Sequence, residues 1–123
     1  MTDNEIEKEI QEKGLTAPRI TPETIEENIA SEVYFTAQHG VDGAMQVLEL
    51  HSRHPDGGAN TSSLRLLTFC VIVLRNGFTV TGESACASPE NFNAEIGRKI
   101  ARQNAVQKIW PLMGYELRSK LNN

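Results

Sequence analysis

The stretch Leu64–Ala85, LRLLTFCVIVLRNGFTVTGESA, decides the fold. Leu64 to Arg75 is a β-branched and aromatic run, Phe78 to Ala85 is a second, and only Asn76-Gly77 separates them. Such side chains suit a pleated, half-buried surface. Asn-Gly between two of these runs predicts a β-hairpin closed by a two-residue turn, since a type I′ turn needs positive φ at both central positions. That turn pairs Arg75 with Phe78, Val73 with Val80 and Phe69 with Ser84. One face then carries Leu67, Phe69, Val71, Val73, Phe78 and Val80, and is the expected core face. The other carries Thr68, Cys70, Ile72, Leu74, Thr79, Thr81, Glu83 and Ala85, half apolar and half hydroxyl.

Helices are expected on both sides of the hairpin. Thr21-Pro22-Glu23 has the chemistry of a helix start: a capping hydroxyl, a proline with fixed φ, and an acid at the positive helix end. Ile25, Ile29 and Val33 follow at i, i+4 and i+8, predicting a helix to about Ala37 that stops before Gly40. Val47, Leu48 and Leu50 suggest a short strand. Ser88-Pro89-Glu90 repeats the start device and opens the longest helix, with Phe92, Ile96, Ile100, Val106 and Trp110 as its apolar stripe. Pro111 is expected to kink or end that helix. The fold class implied is α+β, a small two-layer domain in which a hairpin or three-stranded meander packs on a long C-terminal helix. Residues 1–20 read as an acidic leader, and residues 21–123 as one domain with a flexible loop over 51–63.

With 123 residues, the chain has room for one domain. Its apolar fraction of 39% is too high for wholesale disorder. No stretch approaches the roughly 20 apolar residues of a membrane span. Two cysteines, Cys70 and Cys86, are too few for a disulfide scaffold, and the N-terminus is acidic where a secretory signal is basic, so a cytoplasmic setting is expected. The net charge of −4 hides a polarity. Residues 1–34 hold nine acids and three bases, whereas residues 96–123 hold six bases against Glu116 alone. A globally acidic chain makes nucleic acid an unlikely partner, while a local basic patch suits one small anion or an acidic neighbour.

Leu67-Thr68-Phe69-Cys70 and the segment Asn76–Cys86 resemble a family of small tailed-phage and prophage proteins named after gene products forty-nine and sixty-six of two phages. Ser88-Pro89-Glu90-Asn91-Phe92, Gly97-Arg98-Lys99-Ile100-Ala101, Trp110-Pro111-Leu112 and Ser31–Phe35 continue the likeness, over about residues 20–121. The resemblance implies a phage accessory protein and carries no catalytic residues with it.

Chemistry is sparse. Gly82-Glu83-Ser84-Ala85-Cys86 lacks the second glycine of a nucleophile elbow, and no histidine follows it to act as base. His51, His54 and Asp56 have spacing suited to a metal but sit in a polar loop without bracing. The hairpin-then-helix order also occurs in double-stranded-RNA-binding domains, but Glu90 and Glu95 stand where those use lysines. The strongest constellation is Asn91, Glu95, Arg98 and Arg102, at i, i+4, i+7 and i+11 along one helix edge. Arg98 and Arg102 are one turn apart, a spacing at which two guanidiniums can fork onto one phosphate or carboxylate. The candidate ligand-binding set is therefore Thr79, Thr81, Glu83, Asn91, Arg98 and Arg102, with no cofactor. The functional expectation is a non-enzymatic homo-oligomeric binding module in the host cytoplasm. It would capture a host protein or a small anionic, nucleotide-like ligand, counter-defence being one use. The oligomer would form through the face bearing Cys70, Ile72 and Leu74. The alternatives are a metal-assisted nucleotide hydrolase using Glu83, Asp56, His51 and His54, or a minor virion protein.

Overall fold

Three antiparallel strands, β1 (Ile29–Thr36), β2 (Leu67–Leu74) and β3 (Thr79–Ala85), form one sheet in the order β1-β2-β3. The computed structural model describes residues 1–47 and 61–123. Helices α1 (Asp3–Glu12), α2 (Pro22–Glu27), α3 (Ala37–Gln46) and α4 (Thr61–Leu64) precede the hairpin. A 3₁₀ turn (Pro89–Asn91) and the long α5 (Ala94–Leu121) follow it. The two-layer α+β architecture expected from the sequence is the one observed. His51, His54, Asp56, Leu48 and Leu50 lie outside the described residues.

The hairpin turn differs from expectation by one residue, and that difference exchanges the faces. The Leu74 amide donates to the Phe78 carbonyl at 2.8 Å, and the Gly77 amide to the Leu74 carbonyl at 2.9 Å. The loop is therefore the three residues Arg75-Asn76-Gly77, with Gly77 at φ +89°. A three-residue loop with a left-handed glycine at its end is the other common way to close a hairpin. Asn76 Oδ1 accepts from the Phe78 amide at 2.9 Å, so the asparagine serves the turn through its side chain. The register becomes Val73↔Thr79, Ile72↔Val80 and Cys70↔Gly82. Cys70, Ile72, Leu74 and Val80 are buried under α5 as the core. Leu67, Phe69, Val71 and Val73 turn instead to the open face with Thr79, Thr81, Glu83 and Ala85. Of the expected core face Val80 is buried as read, but its β2 residues lie on the outer side, and the face expected to drive oligomerisation is filled by the chain's own helix.

Small side chains let α5 lie close. Gly97, Ala101 and Ala105 recur at i, i+4 and i+8 and are buried, followed by Val106 and Ile109. A methyl group at Gly82 would overlap the Ala101 carbonyl oxygen and the Ala105 amide nitrogen and would lie 2.9 Å from the Ala105 Cα. Strand and helix backbones are therefore in direct contact there. Of the expected stripe, Val106 is buried and Trp110 packs against the core, but Ile96 and Ile100 are 56% and 43% exposed. Asn93 caps α5 by accepting from the Ile96 amide at 3.0 Å, so the helix starts five residues after the Ser88-Pro89 device, which forms only the 3₁₀ turn. The helix also continues through Pro111 to Leu121. Pro111 and Gln107, whose carbonyl loses a partner, are both exposed, so water can take the missing bond.

The helix expected over Thr21–Ala37 breaks after one and a half turns. Thr21 caps α2 as read, but Ile29 to Thr36 forms β1 against β2, with Val33 opposite Val71. Val47, expected in a strand, follows the end of α3. Thr36 then caps α3, in a box where His39 Nδ1 accepts from the Thr36 amide at 3.0 Å.

Within the expected leader, Arg19 grips Glu7 of α1 through two bonds of 2.5 and 2.6 Å, and Trp110 Nε1 donates to Asp3 at 3.1 Å. The Arg19 guanidinium holds the Glu7 carboxyl down at about 2 against the ordinary 4.5.

Two outcomes follow from this packing. Gly82→Ala should cost about 3 kcal/mol in urea denaturation, the upper end for overpacking because backbone rather than a side chain stands in the way. Gly114→Ala, in α5 with open space around it, should add up to about 1 kcal/mol. Lowering the pH should release α1. The Glu7 carboxylate stabilises the docked state above about 4.5, and that contribution is lost as pH falls through about 2. Fluorescence of Trp110, the sole tryptophan, should report this step, and Arg19→Gln should abolish its dependence on Glu7.

Candidate functional site

A cavity of about 500 Å³ opens at one end of the two layers. The start of α3 supplies Thr36, Gln38, His39 and Asp42, the end of β1 adds Tyr34 and Phe35, and Arg65 and Thr68 come from the entry to β2. Phe92, Ala94 and Arg98 complete the wall from the start of α5. The first residues of two helices therefore line it, and a helix N-terminus carries the positive end of its dipole. Neither Arg65 nor Arg98 has a carboxylate within 4.0 Å among the described residues.

Polar groups in the wall are oriented. The bond that His39 Nδ1 accepts from the Thr36 amide leaves Nε2 as the nitrogen able to donate outward. Gln38 Nε2 donates to Asp42 Oδ1 at 2.8 Å, which sets the direction of the amide. Its Oε1 is buried and without a partner among the described residues. Such an orphaned acceptor is uncommon in a native interior. Burial, and then the bond that its hydroxyl donates to Glu32 at 2.8 Å, push the Tyr34 phenol above its ordinary range and keep it protonated.

The two arginines read together in the sequence have different roles. Arg102 Nε donates to Glu32 at 2.6 Å and Nη2 to Glu26 at 2.7 Å, tying α5 to β1 and α2. Partial burial raises the Glu32 carboxyl, but Arg102 and Tyr34 outweigh that and leave it lowered. Arg102 is thus neutralised inside its own chain and does not join Arg98 in a fork. A groove of about 600 Å³ beside it, between α1, α2 and α5, offers an anion little, since its other cation, Lys99, is paired with Glu95 at 3.2 Å.

Nor do the remaining expected site residues gather at the basic cavity. Thr79, Thr81 and Glu83 lie on the open sheet face, where Thr81 donates to the Glu83 carboxylate at 3.3 Å. Asn91, in the 3₁₀ turn rather than on the helix, lines a separate cavity of about 280 Å³ with Cys86 and Ile96. Both cysteines are free thiols, and burial pushes that of Cys70 up. Among the described residues no group of three or more His, Cys, Asp or Glu side chains comes together. Arg65, Tyr34, Gln38 and His39 were missed by sequence reasoning. The one signal for Tyr34 was the β-branched and aromatic run Val33-Tyr34-Phe35-Thr36, which suits a strand, and pairing opposite Cys70 places Tyr34 on its inner face.

Fold and cavity define a small two-layer protein, one helix laid across a three-stranded sheet with a basic hollow at its N-terminal end. The chain belongs to the N4 Gp49/phage Sf6 gene 66 family of phage proteins, whose profile matches residues 20–121. No curated protein and no solved structure matches it. The whole basic cavity falls inside the family match, whereas α1 precedes it. No helix among the described residues is long and apolar enough to cross a membrane.

Arg102→Gln should therefore behave as a stability variant. Losing both ion pairs at a site 30% exposed should cost about 1–2 kcal/mol, between the values for surface and buried charged bonds. Urea unfolding with Trp110 fluorescence measures it.

Proposed function

We propose that this phage protein is a non-catalytic binding module of the host cytoplasm whose basic cavity captures a small anionic ligand of nucleotide type. The observation that carries the reading is the convergence of Arg65, Arg98 and the N-termini of α3 and α5 on one hollow of about 500 Å³. Anions are favoured at helix N-termini, and guanidiniums add charge-assisted, forked bonds to phosphate. Tyr34, Phe35 and Phe92 offer flat apolar surface for a ring, and the hollow is of a size that suits a ligand of tens of atoms. Asp42 and the orphaned Gln38 oxygen supply the acceptors that sugar hydroxyls or base N–H groups require. Glu83, the acid on which a hydrolase reading leaned, sits on the far face of the sheet.

Native mass spectrometry of protein isolated from host cells, with calorimetry against adenosine monophosphate and inorganic phosphate, tests the proposal. A retained or titrating anion is expected. Arg98→Gln should weaken it by about 10- to 100-fold, the equivalent of about 1.5–3 kcal/mol for a charge-assisted bond, without unfolding the chain. Arg102→Gln should leave affinity close to wild type. Bare protein mass with no heat from either probe, or equal losses in both variants, would overturn it.

A further inference from the structure

We infer that the open face of the sheet is an interface on which a second copy of this chain stacks, sheet against sheet. The face shares only Phe35 with the wall of the anion cavity. The face holds Val33 and Phe35 from β1 beside Phe69, Val71 and Val73 from β2. None belongs to the core cluster, Val33 is 52% exposed and Phe35 36%. The Phe35 and Phe69 rings lie 5.6 Å apart between centroids and make a continuous apolar surface across two strands. A monomer's sheet normally alternates apolar inside and polar outside, and here the inner side is already filled by α5.

Charge and area choose the occupant. The β1 and β2 columns carry no charge at Ser31, Val33, Phe35, Leu67, Phe69, Val71 or Val73, and Glu83 on β3 is the one ionised group that β3 adds. Among the described residues the face offers no cation to nucleic acid or anionic lipid, and only Glu83 at its edge to a basic peptide. An identical face does fit: Val71 sits in the middle row between Val33 and Thr81, so a two-fold axis through it sets β-branched side chains against one another. Strands about 4.8 Å apart and eight residues at about 3.3 Å each give a footprint of roughly 14 by 26 Å. Two such faces cover roughly 730 Å² in total, short of what a stable specific interface buries, so the contact is a weak, concentration-dependent one.

Sedimentation velocity from 1 to 200 µM reads it directly. Wild type should shift from 13.6 kDa towards twice that mass as concentration rises. Val33→Lys, on an exposed edge strand, should weaken association at least about thirtyfold while circular dichroism and thermal midpoint stay close to wild type. Val71→Asp should do the same, and if it fails to fold, Val33→Lys still decides. A wild type that stays monomeric at 200 µM overturns the inference and leaves the face to another segment of the chain or a different partner. A dimer that survives Val33→Lys with its fold intact overturns it too, because the interface then lies elsewhere.

Discussion

Everything in this molecule depends on how closely α5 approaches β3 at Gly82. There the helix backbone at Ala101 and Ala105 rests on the strand with no side chain between them. Contact that close requires glycine on the strand and small residues at every fourth helix position, which Gly97, Ala101 and Ala105 provide. It also requires Gly82 to face inward. A two-residue turn would have put it on the face opposite Cys70, Ile72 and Leu74, so the three-residue loop with Gly77 at its end and the packing of α5 on both strands depend on each other. Once the register is set this way, Cys70, Ile72 and Leu74 become core, and the valine and phenylalanine column faces out.

The architecture was legible because it rests on strong, local signals: two β-branched runs around Asn-Gly, a capping threonine before Pro22, and a long helical segment after Ser88. The register was not, because Asn-Gly suits both a two-residue turn and the last two positions of a three-residue one. Choosing between them needs the helix, and the helix was misread for the same reason. A search for large apolar residues finds Ile96 and Ile100, which are exposed, and passes over the glycine and alanines that touch the sheet. β1 was lost to a coincidence of spacing. Ile25, Ile29 and Val33 recur every four residues, a period compatible with both a helix face and alternate positions of a strand. The β-branched and aromatic run Val33-Tyr34-Phe35-Thr36 is what favours the strand.

Misplacing β1 removed half of the candidate site from view. Tyr34 and Thr36 end that strand, and α3, which it leads into, brings Gln38, His39 and Asp42 to the cavity. From one helix edge alone, Arg98 and Arg102 look equivalent, both cationic, one turn apart and beside the apolar stripe. What separates them is the acidic N-terminal third of the chain. Folding places Glu26 and Glu32 on the side of α5 where Arg102 emerges and leaves Arg98 beyond their reach. The charge polarity seen in the sequence is thus spent partly inside the chain, and of the two arginines the one without an ion pair among the described residues is the one nearer the helix N-terminus.

That division gives the two halves of α5 different kinds of work. Its N-terminal turns contribute Ala94 and Arg98 to the basic cavity while Gly97 and Ala101 hold the sheet, so the recognition group and the packing group alternate within a single turn. A guanidinium placed on so tightly packed a helix has a fixed root, and only its side-chain torsions remain to be ordered when an anion arrives. Such fixed placement lowers the entropic cost of binding. The same constraint that forces glycine at position 82 therefore also preorganises the site, since loosening the helix from β3 would move Arg98 relative to Arg65 and the start of α3. Under the proposed reading, stability and anion binding are then two consequences of one backbone contact, and a variant that relaxes the contact should lose both together.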